Sequence, residues 1–185
     1  NPRLEARLLV ASATELSDSA IISSPEYLVD VKENDQISEV ISRRCGGEPL
    51  AYILGEKEFW SLKFAVDNST LIPRPETETL IEGVLSNFHS SNNSFCILDL
   101  GTGTGCILAA LLTEFKESTG VCLDKSLLAC KIAQQNLSNL KLANRSSVLV
   151  DNWGISLTGA YKIISCNPPY ISIPEILDIN HEIRE

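Results

Sequence analysis

The chain has no methionine among its 185 residues, not even at position 1, and so reads as a fragment of a longer product. Histidine is almost missing too, with only His89 and His181. The six cysteines are Cys45, Cys96, Cys106, Cys122, Cys130 and Cys166, and no two form a CxxC pair. Several of them fall in apolar runs, where a free thiol behaves as a small hydrophobe. This scarcity and spacing argue against a zinc site and against a disulfide framework. Cations are few: 15 Lys and Arg stand against 24 Asp and Glu, a net charge of −9. Such a chain is poorly suited to a general grip on phosphate backbones, which lowers the expectation of a nucleic-acid partner. No apolar run approaches the ~20 residues of a membrane span. The opening Asn1-Pro2-Arg3-Leu4-Glu5 lacks the basic-then-apolar order of a secretory signal. A cytoplasmic protein without a membrane partner is the simplest expectation, and a monomer is expected.

What is present is a good supply of core. Apolar residues make up 44% of the chain, enough for one ordinary domain and a small companion. Residues 1–55 carry helical spacing, with Leu4, Leu8 and Leu9 on one face of a first helix. Ser24-Pro25-Glu26 predicts a helix start with proline at the first position. Gln36 to Arg44 predicts another helix, stopped by Gly46-Gly47. The period then changes: Trp60, Leu62, Phe64 and Val66 alternate with polar or small residues, as in a half-buried strand. Asn68-Ser69 is the expected turn and Leu71-Ile72 the expected return strand, giving a hairpin linker over residues 56–72. Pro73-Arg74-Pro75-Glu76 opens a further helix.

From residue 95 onward short apolar runs alternate with helical ones. Strands are expected at Phe95–Leu100, Val121–Asp124, Val148–Val150 and Ile163–Cys166, with helices at Thr104–Phe115 and Ser126–Leu137. Such alternation predicts an α/β domain with a parallel sheet.

Two segments carry the chemistry. The first is Asp99-Leu-Gly-Thr-Gly-Thr-Gly105, a glycine-rich turn between a strand and a helix. Gly101, Thr102, Gly103, Thr104 and Gly105 are candidates to hold a nucleoside cofactor, because glycine lets the backbone turn sharply and approach a ligand. The position at a strand's carboxyl end favours a ligand over a plain tight turn. Asp124, at the end of the next strand, can accept both ribose hydroxyls; its alternative role is a helix cap. Asp151-Asn152-Trp153 ends the third strand, where Trp153 can pack on a base and a polar group can meet its amino group. The alternative is a polar turn with a core tryptophan.

The second segment is Asn167-Pro168-Pro169-Tyr170. An amide nitrogen is a poor nucleophile because its lone pair is delocalised, so a site must orient it and polarise its N–H bonds. The Asn167 side-chain carbonyl can accept one N–H and the Pro168 backbone carbonyl the other. The two prolines stiffen the turn, and Tyr170 can lie against the planar group. This is catalysis by positioning. With the glycine loop it points to methyl transfer from S-adenosylmethionine to an amide or amino nitrogen.

The glycine loop with Asn-Pro-Pro-Tyr-Ile171 resembles the class I methyltransferases that act on planar nitrogens. Gly47-Glu-Pro-Leu-Ala-Tyr-Ile-Leu-Gly55, Glu58-Phe-Trp, and Leu71-Ile-Pro-Arg-Pro-Glu-Thr-Glu78 narrow the resemblance to the bacterial release factor glutamine methyltransferases of the HemK/PrmC type. The resemblance implies a helical domain over 1–55 that helps dock the release factor, and a hairpin over 56–72. It implies a Rossmann-like methyltransferase domain over 73–185 whose last strands are missing. It further implies S-adenosylmethionine on Gly101 to Gly105, Asp124, Trp153 and Asn167, and a substrate glutamine on Asn167, Pro168, Pro169 and Tyr170. That glutamine would belong to the Gly-Gly-Gln motif of class I peptide chain release factors. The chain departs from the family pattern at Tyr161-Lys162, where an aromatic-Asp pair is usual. The rival expectations are an exocyclic-amine methyltransferase of nucleic acid and an inactive binding module.

Overall fold

The computed structural model describes residues 1–14, 16–88 and 94–168. It divides into two compact units, one over Asn1–Gly55 and one that begins at Glu56.

The first unit is helical. Helix α1 (Pro2–Ala13) starts behind Asn1, whose side chain accepts the Arg3 N–H, and it buries Leu9 and Ala13. Helix α2 (Asp18–Ser23) starts behind Ser17 and ends at Ser23. The helix start expected at Ser24-Pro25-Glu26 is therefore a turn, in which the Tyr27 N–H reaches the Ser24 carbonyl. Helix α3 (Val31–Cys45) begins later because Asp30 and Glu33 form a reciprocal capping box. Two N–H donors are satisfied at once at 2.8 and 2.9 Å, which outweighs a lone proline as a start signal. Gly46 ends α3, as expected from the sequence. Arg43 forks onto Glu48 at 2.6 and 2.7 Å. Helix α4 (Leu50–Leu54) closes on Gly55 at φ 70°, a left-handed position suited to glycine.

The second unit opens with a hairpin, β1 (Glu56–Phe59) against β2 (Leu62–Ala65). The turn lies at Trp60-Ser61, both at positive φ (51° and 56°). This differs from the expected hairpin, which placed Trp60 within a strand and the turn at Asn68-Ser69. Two consecutive left-handed residues form the tight turn whose twist matches paired strands. Here a tertiary bond helps hold non-glycine residues in it: the Trp60 N–H donates to Glu78 at 2.8 Å. Asn68-Ser69 does turn, around the Asp67 carboxylate, but residues 71–74 form no ladder.

A 3₁₀ turn (Pro75–Thr77) leads into helix α5 (Glu78–Asn87). Next come β3 (Cys96–Leu100), α6 (Cys106–Glu114), β4 (Thr119–Asp124), α7 (Leu127–Asn139), β5 (Ser146–Val150) and β6 (Ile163–Cys166). Every strand and helix expected in this stretch is present within a few residues. The four strands run parallel in the order β5-β4-β3-β6.

The core of this unit is built around α6, where every residue from Cys106 to Leu112 is buried. Leu108, Leu111 and Leu112 are fully enclosed, each contributing about 1.5–3 kcal/mol by burial. Close approach to β4 requires Gly120: a Cβ there would lie 2.3 Å from a Leu108 methyl. Arg145 donates to the carbonyls of Leu112, Phe115 and Ser118. It thereby satisfies the end of α6, where unpaired carbonyls and the helix dipole both favour a cation. The hairpin shares this core through Phe59 and Phe64.

Candidate functional site

Parallel pairing in register brings the carboxyl ends of four strands to one edge. Leu100 faces Leu123 on one side and Cys166 on the other, and Asp124 faces Val150. The glycine loop, Asp124, the Asp151–Trp153 turn and Asn167 therefore emerge together, as open α/β sheets place their ligand sites.

The glycine loop is shaped by three left-handed residues, Gly101 (φ 69°), Gly103 (φ 54°) and Gly105 (φ 79°). They do different work. A Cβ on Gly101 or Gly103 would meet nothing within 4 Å, so the backbone there faces open space that a ligand can fill. A Cβ on Gly105 would lie 3.2 Å from the Ala133 Cβ on α7, so Gly105 serves helix packing. Thr102 and Thr104 between them are buried. The Thr102 N–H donates to the Leu123 carbonyl at 2.9 Å.

Asp124 stands where the sequence places it. One carboxylate oxygen accepts the Gly103 N–H at 3.0 Å and the other the Ser126 N–H at 2.9 Å. It is not the cap of α7; that is Ser126, which accepts the Ala129 N–H. An ionised carboxylate has about four acceptor positions, so Asp124 retains capacity for hydroxyl donors.

A second carboxylate, given no role in the sequence reading, lies beneath the loop. Asp99 is 0% exposed. It accepts the Thr102 hydroxyl at 2.6 Å and the Ser165 hydroxyl at 2.7 Å, tying the glycine loop to β6. Burial raises its pKa to about 6, against the pull of the two hydroxyls and with a push from nearby Asp124. The available sequence signal was a carboxylate inside an apolar strand run. Asn136 of α7 was missed as well. It is fully buried and bonds to Ala65 of the hairpin and Thr104 of the loop. Its signal was a polar residue on the helix face that carries Ala133 and Leu137.

Asn167 follows β6 and is half-buried; its side-chain amide donates to the Thr77 hydroxyl at 3.2 Å. That bond helps to set which end of the Asn167 amide faces which way. No local sequence feature could have named Thr77, ninety positions earlier. Pro168 is half-buried beside Asn167. Pro169 and Tyr170 lie outside the described residues.

At the end of β5 the Asp151 N–H extends the ladder to the Asp124 carbonyl at 3.1 Å, while the Asp151 side chain bonds within its own turn. The Asp151 carboxylate accepts the N–H groups of Ile155 and Ser156 and the Ser156 hydroxyl. The Ser156 hydroxyl in particular holds its pKa below the usual value. Asp151 thus acts as the turn residue that was its alternative reading. Trp153 is 60% exposed at φ 61°. It is therefore no core residue, and its indole remains accessible at the site edge.

Burial pushes the thiols of Cys106 and Cys122 up to about 12, so neither is a ready nucleophile. Among the described residues no group of three or more metal-ligating side chains is gathered. No described helix is long and apolar enough to cross a membrane.

The family model for the methyltransferase small domain matches residues 77–183, more than half of the chain. The chain belongs to that family. The model of the PrmC N-terminal domain matches residues 1–55. Among curated relatives, a release factor glutamine methyltransferase of Buchnera aphidicola is 44% identical over 95% of this chain and 62% of its own length. Another so named, from Nitratidesulfovibrio vulgaris, is 40% identical over 100% of the chain and 62% of its length. The chain thus spans a little under two thirds of the length of these relatives. In fold, the methyltransferase unit resembles the human methyltransferase 10 domain containing protein, with TM-score 0.52 and 18% identity over 67% of this chain and 63% of that one. It also resembles the N-terminal domain of human METTL16, with TM-score 0.52 and 21% identity over 65% and 50%.

Proposed function

We propose that this protein methylates the side-chain amide of the glutamine in the Gly-Gly-Gln motif of class I peptide chain release factors, with S-adenosylmethionine as cofactor. The observation that carries this reading is the juxtaposition of Asn167 with the glycine loop at one sheet edge, in a chain whose relatives are named release factor glutamine methyltransferases. A translation factor as substrate implies a cytoplasmic place of action.

The residues present fit the cofactor. Gly101 and Gly103 leave their backbone open to a ligand, Asp124 offers acceptors for ribose hydroxyls, and Trp153 presents an accessible ring. When bound, S-adenosylmethionine supplies an electrophilic methyl group on a sulfonium. The chain's own task is to hold the acceptor nitrogen. The Asn167 side-chain carbonyl accepts one substrate N–H and the Pro168 backbone carbonyl the other. Thr77 steadies the Asn167 amide in the matching orientation. The Pro168-Pro169 sequence limits the backbone freedom of that carbonyl, and Tyr170 is the ring that the sequence offers for the planar amide. Positioning of this kind lowers the barrier by paying orientation entropy in advance.

The test is to incubate the full-length protein with labelled S-adenosylmethionine and an unmodified class I release factor, then locate the label by mass spectrometry. Label on the Gly-Gly-Gln glutamine is the expected result. Cofactor binding without label on that residue would overturn the assignment and turn the search to nucleic-acid amines. Asn167→Ala should lower kcat by about 100-fold or more at saturating cofactor.

A further inference from the structure

We infer that Asn136 is a positioning residue that seats the cofactor loop, and that through it the β1–β2 hairpin becomes part of the cofactor site. This rests on the methyltransferase reading above. Asn136 lies in the last turns of α7, with Ala133 one turn before it on the same face. Its side-chain oxygen accepts the Ala65 N–H at 2.7 Å. Its side-chain nitrogen donates to the Ala65 carbonyl at 3.0 Å and to the Thr104 carbonyl at 2.9 Å. The amide thus pairs with both backbone groups of the last residue of β2, as a neighbouring strand would, and reaches the glycine loop with its remaining proton.

Asn136 is 0% exposed, so water cannot replace any of these partners, and each would be left unsatisfied without it. Ala133 meanwhile fills the space against which Gly105 closes, 3.2 Å from where a Cβ would stand. Two successive contacts of one helix face therefore fix Thr104 and Gly105. The open part of the loop, Gly101 to Gly103, is braced separately by Asp99 and Asp124. The loop is held from three sides, and one of these supports also carries the hairpin. A ligand that orders the loop must then also steady Ala65, 71 positions from Asn136 in sequence. Asn136 touches neither cofactor nor substrate in this account; it acts through Thr104.

The test compares Asn136→Ala and Asn136→Leu, which keeps the branched shape without the polar atoms, with Arg145→Ala, all in the full-length protein. Arg145 supports the far end of α6 and has no part in the site. S-adenosylhomocysteine is the probe, and its Kd is read by titration calorimetry beside the melting temperature. Both Asn136 variants should raise Kd at least tenfold, while Arg145→Ala lowers the melting temperature with Kd changed less than twofold. A wild-type Kd in Asn136→Leu would overturn the inference and leave a space-filling role. Equal rises in Kd in Asn136→Leu and Arg145→Ala would overturn it too, as a general effect of lost stability. Should the Asn136 variants fail to fold, hydrogen exchange in the wild type decides. Saturating probe should slow exchange of the Ala65 amide at least tenfold, and unchanged exchange would overturn the coupling. Failure of the wild type itself to bind the probe would instead sink the methyltransferase reading, and this inference with it.

Discussion

Two turns leave the same edge of the sheet, one after β3 and one after β5, and both combine a carboxylate with left-handed residues. At the end of β3 the carboxylate is Asp99, fully buried and bonded to the Thr102 hydroxyl of the turn and to the Ser165 hydroxyl of β6. After β5 it is Asp151, which binds only its own loop at Ile155 and Ser156. The first turn is held by side chains from distant parts of the chain; the side-chain bonds of the second stay within it, and its tie to the sheet is the Asp151 N–H on the Asp124 carbonyl at 3.1 Å. A loop fixed from outside keeps its shape before a ligand arrives, so less ordering is needed on binding. The turn after β5, whose carboxylate bonds locally and whose Trp153 is exposed, is under fewer such constraints. The site thus has a preformed side, where backbone must meet ligand closely, and an adaptable side, where a ring needs only to stack.

The sharpest break should come from glycine. Gly105→Val puts a branched side chain at φ 79° against Ala133, and should cost about 3–5 kcal/mol in urea unfolding. At the other turn, Gly154 is also left-handed, at φ 76°, yet its nearest neighbour is a Leu157 methyl at 3.5 Å. Gly154→Ala should therefore cost only about 1–2 kcal/mol, the backbone term alone. Equal losses at the two sites would remove the distinction.

The buried carboxylate offers a second test. Folding raises the Asp99 pKa from 3.8 to about 6, so the folded state keeps a proton that the unfolded chain has released. Its contribution to stability is full below pH ~4 and is lost as pH rises through ~6, by on the order of 3 kcal/mol in all. The stability difference between wild type and Asp99→Asn should follow that slope. An unchanged difference from pH 4 to 7 would show that Asp99 does not titrate there.

Within the glycine loop, Gly103→Ala should cost only about 1–2 kcal/mol for its left-handed backbone. It should weaken S-adenosylhomocysteine binding about tenfold or more, because the new methyl enters the open side. Smallest is Trp153→Ala: stability within about 0.5 kcal/mol of wild type, with Kd raised several-fold. A melting temperature that drops sharply would mean that Trp153 packs in the core after all.

Much of this was legible from residues near one another in the chain. Periodicities of 2 and 3.6 along residues 95–166 gave the strands and helices. The glycine loop, Asp124 and Asn167 were recognisable because their chemistry is local: a turn that only glycine makes easily, a carboxylate or an amide at a strand end. Where two local cues competed, the better satisfied one prevailed, as the Asp30–Glu33 box did over Pro25. The turn at Trp60-Ser61 was illegible because no glycine marks it and part of its support comes from Glu78, eighteen positions away.

The sequence alone therefore determined the order of elements over residues 95–166, the α/β class and the residues that line the sheet edge. Only the tertiary structure decided which residues hold them in place. Asp99 to Ser165, Asn136 to Ala65 and Thr104, and Asn167 to Thr77 are each a hydrogen bond between segments far apart in the chain. Periodicity reports which face of an element is buried. It does not report which polar group meets another inside, because that depends on how the helices and strands pack.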